Sequence, residues 1–188
     1  MNQCFSNNTK DYLREFRCIL DDMINGMTCA ELTDSISYNF IVQMIPHHEA
    51  AIRMSENLLK YTTNVELQNI AMCIISEQTE SIKNMQRILE RCSRRRNSRQ
   101  CNYRYNRKTD EIMRTMFERM RNARCTNNID CNFMREMIPH HMGAVCLCEN
   151  ALKYDICSGL KPILRAIISS QKRGIAQMRR LERMLGCA

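Results

Sequence analysis

The sequence predicts an all-α protein made of two copies of one helical unit, and three observations carry that expectation. The 188 residues include only five glycines, three prolines and no tryptophan, with 44% hydrophobic content. That composition favours helices joined by short connections over sheets, whose turns consume glycine and proline. Apolar residues also recur at helical spacing along most of the chain. Finally, Met-Ile-Pro-His-His occurs at Met44–His48 and again at Met137–His141, and these two copies hold all four histidines and two of the three prolines.

Taken in order, Thr9 suits the cap of a first helix in which Leu13, Phe16, Leu20, Met23, Ile24 and Met27 share a face, with Gly26 marking its end. Ser37 suits the next cap, and a second helix from about Tyr38 to Lys60 carries the first motif. Asn64 opens a third, whose stripe Leu67, Ile70, Ile74, Ile75, Gln78, Ile82, Met85 and Leu89 ends near Cys92. Three helices complete one unit.

The unit returns at a constant offset of 93 residues, Phe40–Cys92 against Phe133–Leu185, with Glu56-Asn57 repeated as Glu149-Asn150 and Leu59-Lys60-Tyr61 as Leu152-Lys153-Tyr154. The preceding part matches more weakly, through Tyr12 with Tyr105, Ile19 with Ile112, Met23 with Met116 and Met27 with Met120. The chain therefore divides into a first repeat (9–92), a basic linker (93–104) and a second repeat (105–186). Copies that each leave one face apolar bury those faces most simply against each other, about a pseudo-twofold axis; a homo-oligomer is the alternative.

Charge is concentrated between the copies. Arg91–Lys108 contains eight basic residues and no acidic one, equal to the net charge of +8. With Tyr103 and Tyr105 interleaved, this stretch suits an anionic partner such as nucleic acid, while the plainer reading is a solvated linker. The N-terminal residues show no secretory pattern and no window approaches a membrane span, so a soluble cytoplasmic protein with reduced cysteines is expected. Of the twelve cysteines no two form Cys-x-x-Cys, which argues against zinc ribbons and thioredoxin-like sites.

Comparison of the copies sorts the candidate ligands. Methionine recurs at Met23 and Met116, Met27 and Met120, Met44 and Met137, and Met85 and Met178; histidine recurs at His47 and His140 and at His48 and His141. No cysteine of one copy aligns with a cysteine of the other. The duplicated chemistry is thioether plus imidazole, a donor set that suits Cu(I) better than magnesium, calcium or manganese. Met44 and His48 are four apart and share a face, as do Met23 and Met27, so Met23, Met27, Met44 and His48 can meet between two helices, with Met116, Met120, Met137 and His141 as counterparts. His47 and His140 lie about 100° round from their neighbours. Pro46 and Pro139 either bend the helix or start it afresh; in both cases they shape how the imidazoles are presented.

Phe40, Met44-Ile-Pro-His-His48, Ala51, Met54 and then Leu67, Ile74, Gln78, Ile82 and Met85 resemble the family known as domain of unknown function 305, and both copies match. The resemblance implies a ferritin-like helical bundle and kinship with methionine-rich copper-binding proteins tied to copper resistance. It carries over Met44, His47, His48, Met137, His140 and His141 as candidate ligands. Ser81 and Gly174 stand where the family usually has Glu, and cysteine is more abundant than usual.

An enzyme is not expected. Glu-x-x-His, which a di-iron bundle needs, does not occur, and neither do Gly-rich phosphate loops. Gln78 and Gln171 suit a buried hydrogen-bonded pair. The sequence thus points to a Cu(I)-binding or sequestering protein, with a helical interaction module holding an anionic partner at its basic linker as the alternative.

Overall fold

The computed structural model describes residues 4–187, and among them are six α-helices and no strand. They are α1 (Asn7–Thr28), α2 (Ile36–Leu59), α3 (Val65–Ser93), α4 (Arg99–Arg121), α5 (Ile129–Ala151) and α6 (Leu160–Met184). Side-chain oxygens cap five of the six N-termini: Ser6, Ser35, Asn64, Ser98 and Asn128 each accept from the amide three residues on. Ser6 rather than Thr9 therefore starts α1. Ser35 rather than Ser37 starts α2, and Ser37 instead accepts from the amide of Cys157 at 2.8 Å, tying the copies together.

Two helical details correct the sequence reading. Gly26 lies inside α1, because it is needed there: a Cβ at 26 would stand 2.8 Å from Cβ of Pro46. α2 and α5 run unbroken through Pro46 and Pro139, so neither helix restarts at its proline.

Within each copy the second helix packs on both others, α2 on α1 and α3, and α5 on α4 and α6. The copies meet through α2 with α5 and α3 with α6. A four-helix centre of α2, α3, α5 and α6 results, flanked by α1 and α4. Paired residues fill it: Phe40 and Phe133, Met44 and Met137, Leu67 and Leu160, and Met85 and Met178 are all buried. The polar ties are duplicated too. Asn39 bonds the Thr33 backbone as Asn132 bonds that of Thr126, and Asn57 donates to the Tyr12 carbonyl as Asn150 does to that of Tyr105. Six helices are thus one three-helix unit used twice.

The basic stretch is mostly structured. Arg99–Arg104 open α4, so only 94–98 joins the copies, and Asn97 anchors it by bonds to Asp34, Ile36 and Asp155. Arg94, Arg95 and Arg96 pair with Glu90, Asp155 and Asp34. Such exposed pairs contribute about 0–1 kcal/mol each, and with Lys108 paired to Glu111 they engage four of the eight basic residues of the stretch.

Four cysteines are not free thiols: Cys92–Cys157 and Cys131–Cys187 are disulfides, each with Cα atoms 5.3 Å apart. This corrects the expectation of a fully reduced chain. The first bond joins the end of α3 to the α5–α6 connection, and so crosses between copies. Among the described residues no helix is long and apolar enough to cross a membrane.

Candidate metal centre

All four histidines lie at the centre of the molecule, where α2 meets α5, and all are buried. The helical period alone puts His48 inward and His47 to one side. Because α2 is packed on three sides, by α1, α3 and α5, both of its faces are interior. The four rings form one cluster. His47 and His140 stack with centroids 3.7 Å apart, and His48 and His141 lie outside them at 5.9 Å from their neighbours.

The inner pair has a defined tautomer. His47 Nε2 stands 3.3 Å from the His140 carbonyl oxygen, and His140 Nε2 stands 3.0 Å from that of His47. A carbonyl only accepts, so each Nε2 carries the proton and donates. The lone pair of each ring is then on Nδ1. All four Nδ1 atoms are buried without a hydrogen-bond partner.

Burial keeps the rings neutral. It lowers His48 to about 3 and His140 to about 4, and drives His47 and His141 well below the ordinary imidazole value; the neighbouring imidazoles lower His47, His48 and His141 further. Neutral imidazole is the form that ligates metal. A buried polar nitrogen with no partner costs about 1–3 kcal/mol, so four of them in one cluster are not explained by stability. On the inner pair, each unpartnered Nδ1 carries the lone pair that a neutral imidazole offers a metal ion. Among the described residues no group of three or more His, Cys, Asp or Glu side chains is placed to hold an ion, so the arrangement does not resemble a zinc or hard-cation cage.

The outer histidines differ between the copies. His48 Nε2 lies 3.0 Å from the Ser81 hydroxyl, and His48 lines a cleft of about 620 Å³ between α3 and α6. His141 faces Gly174, the counterpart of Ser81; a Cβ there would stand 3.0 Å from Nε2. Gln78 and Gln171, also buried at that cleft, do not serve as a fully bonded pair, since both amide atoms of Gln78 and Oε1 of Gln171 have no partner.

The methionines are buried but not all in one place. Met44 and Met137 sit on α2 and α5 one turn before His48 and His141. Met23 lines a cleft with Pro46 on the α1 side of α2, away from α3, where His48 is directed, and Met116 lines the matching cleft with Pro139. The Met27 carbonyl accepts from Gln43, and Met120 lines a pocket with Phe16 and Glu136.

Glu136 is a feature the sequence reading missed. It occupies the position of Gln43 in the first copy, is buried, and accepts from the Tyr12 hydroxyl at 2.6 Å. Burial raises its carboxyl to about 8, while Tyr12 and Arg17 act the other way. The available signal was a glutamate beside Met137 on an otherwise apolar arc, facing a neutral amide in the repeat.

The family described as "Domain of unknown function (DUF305)" matches residues 37–182. Among solved structures, CopM in an Ag-bound form obtained by soaking is similar with a TM-score of 0.59 and 28% identity, covering 82% of this chain and 97% of that one. CopM in its apo form gives 0.58 and 28%, over 78% and 96%. A DUF305 fragment from Deinococcus radiodurans shares the fold, with a TM-score of 0.58, 21% identity, and 78% and 94% coverage. No curated protein matches.

Proposed function

The chain belongs to the DUF305 family, and from that premise we propose that it is a non-enzymatic protein that binds and sequesters a soft monovalent metal ion, Cu(I). The observation that carries the reading is the inner histidine pair. His47 and His140 are held as Nε2–H tautomers by each other's backbone, so that two neutral Nδ1 lone pairs are buried and unpartnered at the molecular centre. The thioethers of Met44 and Met137, with His48 and His141, complete a nitrogen and sulfur environment that favours a d¹⁰ ion over hard cations. The structures of CopM with Ag, an ion of the same softness, support the choice.

The residues divide the work. Backbone carbonyls fix the inner rings, the surrounding helices exclude water and suppress protonation, and the cleft beside His48 offers a path from solvent. The test is an anaerobic Cu(I) titration against a competing chelator, on protein with blocked free thiols, beside a variant with His47, His48, His140 and His141 changed to Ala. Tight binding that survives the block and disappears in a variant that keeps its helical circular dichroism is expected. Equal binding by that variant, or binding lost with the thiols alone, would refute the histidine site.

A further inference from the structure

The two clefts at the proline bends are counterparts, but only one of them has been rebuilt in sulfur. In the first copy the cleft beside Pro46, of about 330 Å³, is lined by Met23, Asp22, Glu49 and Arg53. Arg53 spans it in ion pairs to Asp22 at 2.7 Å and Glu15 at 3.8 Å. In the second copy the same five positions read Met116, Thr115, Met142, Cys146 and Lys108. Lys108, Glu111 and Arg119 line this cleft of about 240 Å³, but among the described residues no ion pair crosses it from α4 to α5; Lys108 turns to Glu111 on its own helix, at 2.9 Å.

We propose that Met116, Met142 and Cys146 form a second soft-metal site on the outer face of α5, with a thiolate and two thioethers as its ligands. Met142 and Cys146 are four residues apart on α5 and so share a face. Between them, Gly143 takes the place of Ala50, and its lack of a side chain lets Met116 enter: a Cβ at 143 would collide with the Met116 sulfur. Three sulfur-bearing side chains thus line one cleft, on a background where the other copy keeps charge. Met116 is buried, Met142 is half-buried and Cys146 is an exposed free thiol, so the site is accessible from solvent. Arg179 on α6 donates to the Met142 sulfur at 3.7 Å, and this exposed guanidinium turns to solvent when that sulfur ligates.

Binding here is ligation without redox change. The Cys146 thiol gives its proton to water as its sulfur bonds Cu(I) or Ag(I), and the thioethers supply neutral lone pairs. Such a set selects soft d¹⁰ ions and leaves magnesium or calcium in solution. The site takes its class of ion from the histidine-centred reading but shares none of the ligands proposed there.

The experiment is protection of thiols from N-ethylmaleimide, mapped by peptide mass spectrometry on the disulfide-intact protein under anaerobic conditions, with and without one equivalent of Cu(I) or Ag(I). Cys73 and Cys18, exposed on α3 and α1, serve as internal references. Metal should slow alkylation of Cys146 by about tenfold and leave the references nearly unchanged, because alkylation requires a free thiolate. M142L, which keeps volume and removes the sulfur, should restore most of the reactivity. Protection should persist in a variant with His47 and His140 changed to Ala, which separates this site from the central one. Protection of Cys146 no greater than that of Cys73, protection unchanged by M142L, or protection lost with the histidines would each overturn the proposal.

Discussion

Acidification from pH 7 to pH 5 should destabilise the metal-free protein. The perturbation acts on four imidazoles that are neutral in the fold and protonate freely in the unfolded chain. Their folded values lie below the unfolded 6.5, about 3 for His48 and about 4 for His140, with His47 and His141 also well below it. A depressed imidazole value means that the unfolded state binds the extra proton, so stability is fully present above pH 6.5 and is lost as pH falls towards the folded values. At pH 5 His48 and His140 each cost roughly 2 kcal/mol, about 4 kcal/mol together, and His47 and His141 act in the same direction. Glu136 works in the opposite sense. Its folded value of about 8 stands above the unfolded 4.5, so its burial penalty shrinks on acidification, returning about 3 kcal/mol over the same interval. His48 and His140 alone outweigh the return from Glu136 by about 1 kcal/mol, and His47 and His141 add to that loss, against a typical total of about 5–15 kcal/mol. For a chain of this length the loss lowers Tm by more than about 2–4 °C. The assay is thermal and urea unfolding followed by circular dichroism at both pH values without metal. An unchanged midpoint, or native imidazole resonances titrating near 6.5, would refute the argument that these rings are held neutral by burial.

Three further outcomes follow from the same contacts. E136Q, which restores the amide of the first copy and keeps an acceptor for Tyr12, should stabilise the protein at pH 8 by up to about 4 kcal/mol and leave it nearly unchanged at pH 4.5; equal effects at both would contradict a buried ionisable carboxyl. G26A should destabilise by about 1–3 kcal/mol despite the better helix propensity of Ala, because the Pro46 ring stands 2.8 Å from the new Cβ and cannot rotate away; a raised Tm would show that α1 moves off α2 without cost. C92S/C157S removes a bond that closes a loop of sequence separation 65 and should lower stability by about 4 kcal/mol, read as a reduced urea midpoint; no shift would mean that the bond is not formed in solution.

Much of the helical plan is written locally. The stripe from Leu67 to Met85, the Asn64 cap and the 93-residue offset are visible because a helix imposes its period on whatever face it buries. The caps at Ser6 and Ser35 were less legible, since Thr9 and Ser37 are equally good capping residues and only the chain's approach decides which oxygen meets the free amides. Gly26 had a local reading as a helix end, and its actual role depends on Pro46, twenty positions away. The expectation of reduced cysteines failed at Cys92–Cys157 and Cys131–Cys187, because pairing depends on two Cα atoms arriving about 5–6 Å apart, which no spacing in the chain specifies.

By itself the sequence determined that the protein is helical and duplicated, and that its repeated polar chemistry is imidazole and thioether, because these follow from periodicity and from residue identity at matched positions. The tertiary structure decided which donors meet. His47 stacks on His140 and not on its own neighbour, His48 is turned to Ser81 while His141 faces the gap at Gly174, and Glu136 is sealed under Tyr12. Helical period states which face a side chain occupies, but not which helix lies opposite or how close it comes. That closeness, set by the packing of α2 on α5, is what buries four neutral imidazoles in one cluster.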